Sequence, residues 1–223
     1  MMTKNKIGYY ARKCLAVVPS VPICALGVDF FVKAGWGTDP LTMWELALSS
    51  TFNISLGMAS LTFEGGIFVL FFFLNRKLVN FGSFAYCFGI GPCLDLMSPM
   101  VNAIIPANPS IMVKILCIVV GTALVCLALA YYIPMDFGYQ TSDILTLSLG
   151  EIIHKGYGIS LTIVYAILFG AAWLLGGAWG IGTLVAIFGY GPIVDQLMKL
   201  LTPFSLWVAE GKASKVSPDM ANE

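Results

Sequence analysis

Charge is scarce in this chain. Acidic and basic residues make up 11% of its 223 residues, against about 25% in an ordinary globular domain, and they cancel to a formal net charge of zero. With no basic face to offer, nucleic acid is not expected as a partner. The single histidine, His154, stands beside Lys155 away from any cluster of ligands, so neither a metal centre nor a metal hydrolase is expected. Cys14, Cys24, Cys87, Cys93, Cys117 and Cys126 are scattered singly, without a Cys-x-x-Cys pair, and read as reduced packing residues. The sequence also lacks the Gly-x-Ser-x-Gly elbow of a serine hydrolase and the Gly-x-Gly-Asp of an intramembrane aspartyl protease. These gaps argue against an enzyme, and no cofactor is expected.

What the chain has instead is apolar surface. Hydrophobic residues make up 58% of it and the mean hydropathy is +0.87, values that exclude an ordinary soluble domain and make the lipid bilayer its first partner. Lys4, Lys6, Arg12 and Lys13 precede an apolar run from about Cys14 to Phe31. Further hydrophobic runs follow rather than a cleavage site and a soluble domain, so the first run reads as a retained helix. Pro19 and Pro22 should kink it, and Asp29 near its far end fits either the headgroup level or the bundle interior.

One motif occurs twice. Phe88-Gly89-x-Gly91-Pro92-x-x-Asp95 returns 100 residues later as Phe188-Gly189-x-Gly191-Pro192-x-x-Asp195. Each copy lies in a span that lipid would cover, yet carries a helix breaker and an acid. Pro92 and Pro192 cannot donate to the carbonyls of Phe88 and Phe188, and the aspartates follow about one turn on. Freed carbonyls beside a carboxylate suit a monovalent cation or a proton. The same pattern also suits a packing notch with the acids capping a loop, and both readings stay open.

Two shorter helices are predicted. Asp39 is a natural N-cap and Pro40 a natural first residue, so a helix should run from Pro40 to about Phe52, about 20 Å against a hydrocarbon core of about 30 Å. Leu41, Trp44, Leu48 and Phe52 share one face, Thr42, Glu45 and Ser49 another, which fits an interfacial or a re-entrant helix. Thr141-Ser142-Asp143 resembles Gly37-Thr38-Asp39 and should open a second short helix, capped by Ser142 or Asp143 and ending near His154. Between them lies a span from Leu56 to Leu74 with Glu64 near its middle, where an ionisable side chain is a functional candidate by default. Ile159-Ser160-Leu161, matching Ile54-Ser55-Leu56, opens the corresponding span in the second half.

The expected fold is therefore an all-α membrane protein of about six transmembrane helices and two short ones, in two inverted-topology repeats. The expected divisions are a basic cytoplasmic segment 1–12, a first repeat 13–102, a second repeat 111–202 and a cytoplasmic tail 203–223. With three crossings per half and both termini inside, ten of the twelve basic residues fall on the cytoplasmic side and only Lys33 and Lys114 outside. Inversion also places Asp95 toward the outside and Asp195 toward the cytoplasm.

Gly35-x-Gly37-Thr38-Asp39-Pro40, Ile54-Ser55-x-Gly57-x-Ala59-Ser60, Gly176-Gly177-x-x-Gly180-Ile181-Gly182-Thr183 and the paired Gly-x-Gly-Pro-x-x-Asp resemble the YczE/YyaS/YitT-type membrane proteins of bacteria. The resemblance covers about residues 10–200 and implies a bacterial plasma-membrane protein of two related halves. Asn75-Arg76-Lys77 stands where the second half has Gly176-Gly177.

Two functions follow from the residues. One is a small permease working by alternating access on a small polar solute or ion, with Asp95, Asp195, Glu64, Asp39, Asp143 and the breaks at Gly91, Pro92, Gly191 and Pro192 as its binding residues. The other is a non-transporting accessory module acting through helix–helix contacts. A small-molecule or ion substrate and a second copy of the chain are the partners left open.

Overall fold

Proline and glycine set where the helices of this chain begin, end and touch. The computed structural model describes residues 2–74 and 76–211, with side chains from residue 8 onward. Asn75, Lys212, Lys215 and the side chains of Lys4 and Lys6, all used in the sequence reading, lie outside that description. The described residues are helical, with no strand among them. The first apolar run is split at Pro19 into α1 (Met2–Val17) and α2 (Ser20–Ala34), and the Ser20 hydroxyl closes the break by donating to the Val17 carbonyl. Next come α3 (Pro40–Phe52), α4 (Leu56–Leu74), α5 (Phe81–Ile104) and α6 (Ile111–Tyr132), the last followed by a 3-10 turn at Ile133–Met135. Then α7 (Thr141–Ile153), α8 (Tyr157–Leu174) and α9 (Ile181–Glu210) complete the bundle. Six stretches are long and apolar enough to cross a membrane: Gly8–Ala34, α4, α5, Ile111–Met135, α8 and α9.

Several boundaries differ from the sequence reading. Helix α5 runs to Ile104, past the 102 expected as the end of the first repeat, and α9 runs to Glu210, so residues 203–210 are helix and not tail. Pro92 and Pro192 are both inside continuous helices, with Pro99 and Pro203 further along. A long helix survives the loss of one donor when its neighbours hold it in place, and both motif prolines sit on exposed surface while the glycines before them are buried.

The short helices begin earlier in the second half than the motif comparison suggested. Helix α7 has Gln140 at its N-cap and starts at Thr141, so Asp143 lies inside the first turn and neither it nor Ser142 is the cap. Asp39 therefore corresponds in position to Gln140, not to Asp143. The spacing is 101 residues, and it persists through the left-handed helix ends at Asn53 and His154 and the starts of α4 and α8 at Leu56 and Tyr157. Ile159-Ser160-Leu161 is thus not the counterpart of Ile54-Ser55-Leu56.

The halves are stitched to each other by equivalent bonds. The Gly182 N–H donates to the Trp36 carbonyl at 2.8 Å, and the Gly82 N–H to the Phe137 carbonyl at 2.7 Å. In each case a loop glycine with left-handed backbone, Gly37 at φ 88° or Gly138 at φ 95°, lies against the first turn of the other half's last helix. A Cβ at Gly37 would be 2.5 Å from the Gly180 nitrogen, so both conformation and space require glycine there. Helices α2 and α6 cross at Gly27 and Gly121, where a Cβ on either would come within about 3 Å of the other's carbonyl oxygen. At one end Arg12 donates to the Trp207 and Val208 carbonyls in the last turn of α9, and Lys13 pairs with Glu210 at 3.3 Å. The start of the chain and the end of α9 thus share one side of the bundle.

Candidate functional site

Both short helices start deep in the protein and end at its surface. Thr38 to Met43 and Gln140 to Ile144 are buried, whereas Thr51 and Phe52 on α3 and Glu151 and Ile152 on α7 are exposed. The two N-termini, with the positive ends of their helix dipoles, therefore point into the middle of the bundle. Asp39 caps α3 by accepting from the Thr42 N–H at 3.0 Å. Gln140, at the same place on α7, turns its side chain away and donates through Nε2 to Glu64 Oε1 at 2.9 Å.

Around these ends is a small cavity lined by Asp39, Thr42, Glu45, Ser60, Glu64 and Gln140, with Tyr165 and apolar residues of α2, α5 and α6 completing the wall. Its free volume of about 20 Å³ admits one water or one bare ion. Glu45 and Glu64 are 2% and 1% exposed, so their carboxyl groups depend on protein partners. Glu45 Oε1 and Glu64 Oε2 are buried with no hydrogen bond, and the hydroxyl of Ser60, on the same lining, is unpartnered too. Asp143, fully buried, lies beside this group and accepts hydrogen bonds from the Tyr132 and Tyr157 hydroxyls, the latter at 2.6 Å.

No described lysine, arginine or histidine comes within 4 Å of Asp39, Glu45, Glu64 or Asp143, the Lys13–Glu210 pair being the one ion pair among the described residues. Burying a carboxylate without an opposite charge costs several kcal/mol, a cost offset in part at Asp39 by the α3 N-terminus and at Asp143 by its two phenol donors.

The twin motif serves a different place. Gly91 packs on Gly57, where a Cβ on either would meet the other's carbonyl oxygen at 2.3 Å, and Gly191 packs on Gly158 in the same manner. Asp95 Oδ1 accepts the Gly57 N–H at 3.1 Å and Asp195 Oδ1 accepts the Gly158 N–H at 3.1 Å, each carboxylate capping the start of a neighbouring span. Ser55 adds a hydroxyl bond to Asp95 at 2.8 Å. Asp95, Asp195, Gly91, Pro92, Gly191 and Pro192 thus lie outside the cavity, and of the expected binding residues only Asp39 and Glu64 line it, with Asp143 next to it.

Glu45, Ser60, Gln140 and Tyr165 were not singled out from the sequence. Glu45 had a signal: an acid sharing a helix face with Thr42 in a helix too short to span. Gln140 had none, since its role comes from Glu64, 76 residues away. Tyr165 holds on α8 the place that Glu64 holds on α4, 101 residues apart, so the second half carries a phenol where the first carries an acid.

The model of a family of unknown function, DUF6198, matches residues 11–199. The uncharacterised protein YyaS of Bacillus subtilis (strain 168) is 26% identical over 179 residues, which cover 80% of this chain and 89% of that protein. No solved structure matches the chain. The match over most of the chain, together with six helices able to cross a membrane, makes this a multi-pass membrane protein of the YyaS type and a member of the DUF6198 family.

Proposed function

We propose that the chain is a small permease of the bacterial plasma membrane, with two inverted halves alternating about the cavity and a proton or monovalent cation shared between Glu45 and Glu64. The observation that carries this reading is the pair of buried glutamates on facing helices, each with an oxygen free of hydrogen bonds and no basic residue near. The buried starts of α3 and α7 support it, because half-helices that enter a bundle and stop at a polar centre are the usual way such carriers build a site. The odd number of spans in each half supports inversion, and the basic residues support cytoplasmic termini. The solute would be small and polar, and no bond-making chemistry is assigned to the site.

The test is reconstitution into liposomes with a panel of small polar solutes, read against imposed pH and sodium gradients. Gradient-dependent uptake that Glu64→Gln and Glu45→Gln abolish agrees with the proposal. Uptake that ignores both gradients, or survives both substitutions, overturns it.

One observation favours the accessory-module reading. Asp95 and Asp195 are engaged as caps, and the cavity between the short helices holds no more than one water or ion. An absence of uptake across the panel, with the protein folded, would move the weight there.

A further inference from the structure

A second cavity lies between α2 and α5, at the end of the bundle where α2 stops at Gly35. It is lined by Asp29, Val32, Lys33, Ser98, Val101 and Asn102, and its free volume of about 260 Å³ is an order larger than that of the acidic site. Asp29 and Lys33 are one turn apart on α2, the spacing at which an acid and a base normally pair. Here they do not pair. Ser98 donates its hydroxyl to Asp29 Oδ1 at 2.6 Å, and Lys33 donates to Asn102 Oδ1 at 2.6 Å, so two neutral side chains of α5, themselves a turn apart, hold the charges separately.

Each charge has unused capacity. Asp29 is 2% exposed, and its second oxygen, Oδ2, is buried without a hydrogen-bond partner. Lys33 has three N–H donors and uses one on Asn102. Asp29, with one oxygen that accepts nothing, and Lys33, with donors to spare, both line one cavity roomy enough for several heavy atoms. A solute with only a positive group would use Asp29 alone, and one with only a negative group Lys33 alone. A solute with both would use each charge without leaving either uncompensated.

We propose that this cavity is a binding site for a small zwitterion of the α-amino-acid class, its ammonium on Asp29 and its carboxylate on Lys33. The inference concerns binding and stands whether or not the chain transports.

The test uses the full chain in detergent, titrated by calorimetry with alanine, with alaninamide, which keeps only the positive group, and with N-acetylalanine, which keeps only the negative one. Alanine should bind saturably, and each single-charge analogue about tenfold or more weaker, as expected when a charged hydrogen-bond partner is lost. Asp29→Asn and Lys33→Met should each weaken alanine by a similar factor. A separate readout does not need those variants to fold: a cysteine placed at Ala107, exposed on the cavity wall in a cysteine-free background, should be shielded from maleimide by alanine and not by alaninamide. Equal binding of all three probes, saturable binding that both substitutions leave intact, or failure of alanine to bind and to shield position 107 overturns the proposal.

Discussion

Asp95 Oδ1 accepts the backbone N–H of Gly57 across the crossing of α5 and α4 at 3.1 Å, and a carboxylate that looked like a transport ligand is thereby tied to the first turn of the preceding helix. The Gly158 N–H repeats the bond to Asp195 at 3.1 Å. Because the carboxylate supplies an acceptor that the helix start otherwise lacks, its removal acts on stability. Asp95→Ala and Asp195→Ala should each cost about 0.5–2 kcal/mol, in line with the loss of a helix cap, while Asn, which keeps an acceptor oxygen, should cost less. Thermal unfolding in detergent checks this, and an Asn variant as damaged as the Ala variant would count against a capping role.

Glycines of the same span should respond in opposite ways. A Cβ at Gly57 would be 2.3 Å from the Gly91 carbonyl oxygen, whereas a Cβ at Gly66 meets nothing within 4 Å. Gly57→Ala is expected to destabilise by about 1–3 kcal/mol through overpacking against backbone that cannot yield. Gly66→Ala should stabilise by about 0.5–1 kcal/mol, because alanine holds helical backbone better than glycine. Melting temperatures of the two variants, measured side by side, decide it.

Asp143 is held by two phenols, so removing either hydroxyl leaves a buried carboxylate oxygen without its donor. Tyr157→Phe and Tyr132→Phe should each lower stability by about 1–3 kcal/mol. Adding Asp143→Asn to either should recover part of the loss, since a neutral amide tolerates burial better than an uncompensated charge. A double-mutant cycle on melting temperature tests the coupling, and strict additivity would break the link.

Side-specific labelling addresses orientation. With a single cysteine in a cysteine-free chain, an impermeant reagent added to intact cells should reach position 108, in the loop between α5 and α6, and not position 77, between α4 and α5. The reverse pattern would put the termini outside and contradict the charge distribution.

Much of the fold was legible in the sequence because its causes are local. The length and hydropathy of a run determine whether it can span, so the long helices were visible as apolar stretches, and Asp39-Pro40 marked the start of α3 through a cap and a missing N–H. The ends of α5 and α9 were not legible, since a proline such as Pro99 or Pro203 stops a helix only where the surrounding bundle does not hold it. The register of the second half was misread by a few residues. The polar pair Ser142-Asp143 looks like a cap, but Tyr132 and Tyr157, brought in by packing, claim the aspartate instead.

By itself the sequence determined that this chain enters a membrane, how many of its helices can cross, and that Glu64 sits in mid-span, where an acid is too costly to be incidental. Only the tertiary structure decided which acids face one another. Asp95 and Asp195 were drawn to helix starts 38 and 37 residues away, while Glu45 and Gln140 were carried to Glu64 from separate elements. The reason is the range of the forces involved. Burial and helix formation act on runs of neighbouring residues, whereas a carboxylate's partner is whichever donor the crossing of two helices brings to about 3 Å, and glycines such as Gly57 and Gly91 set that crossing by allowing two backbones to touch.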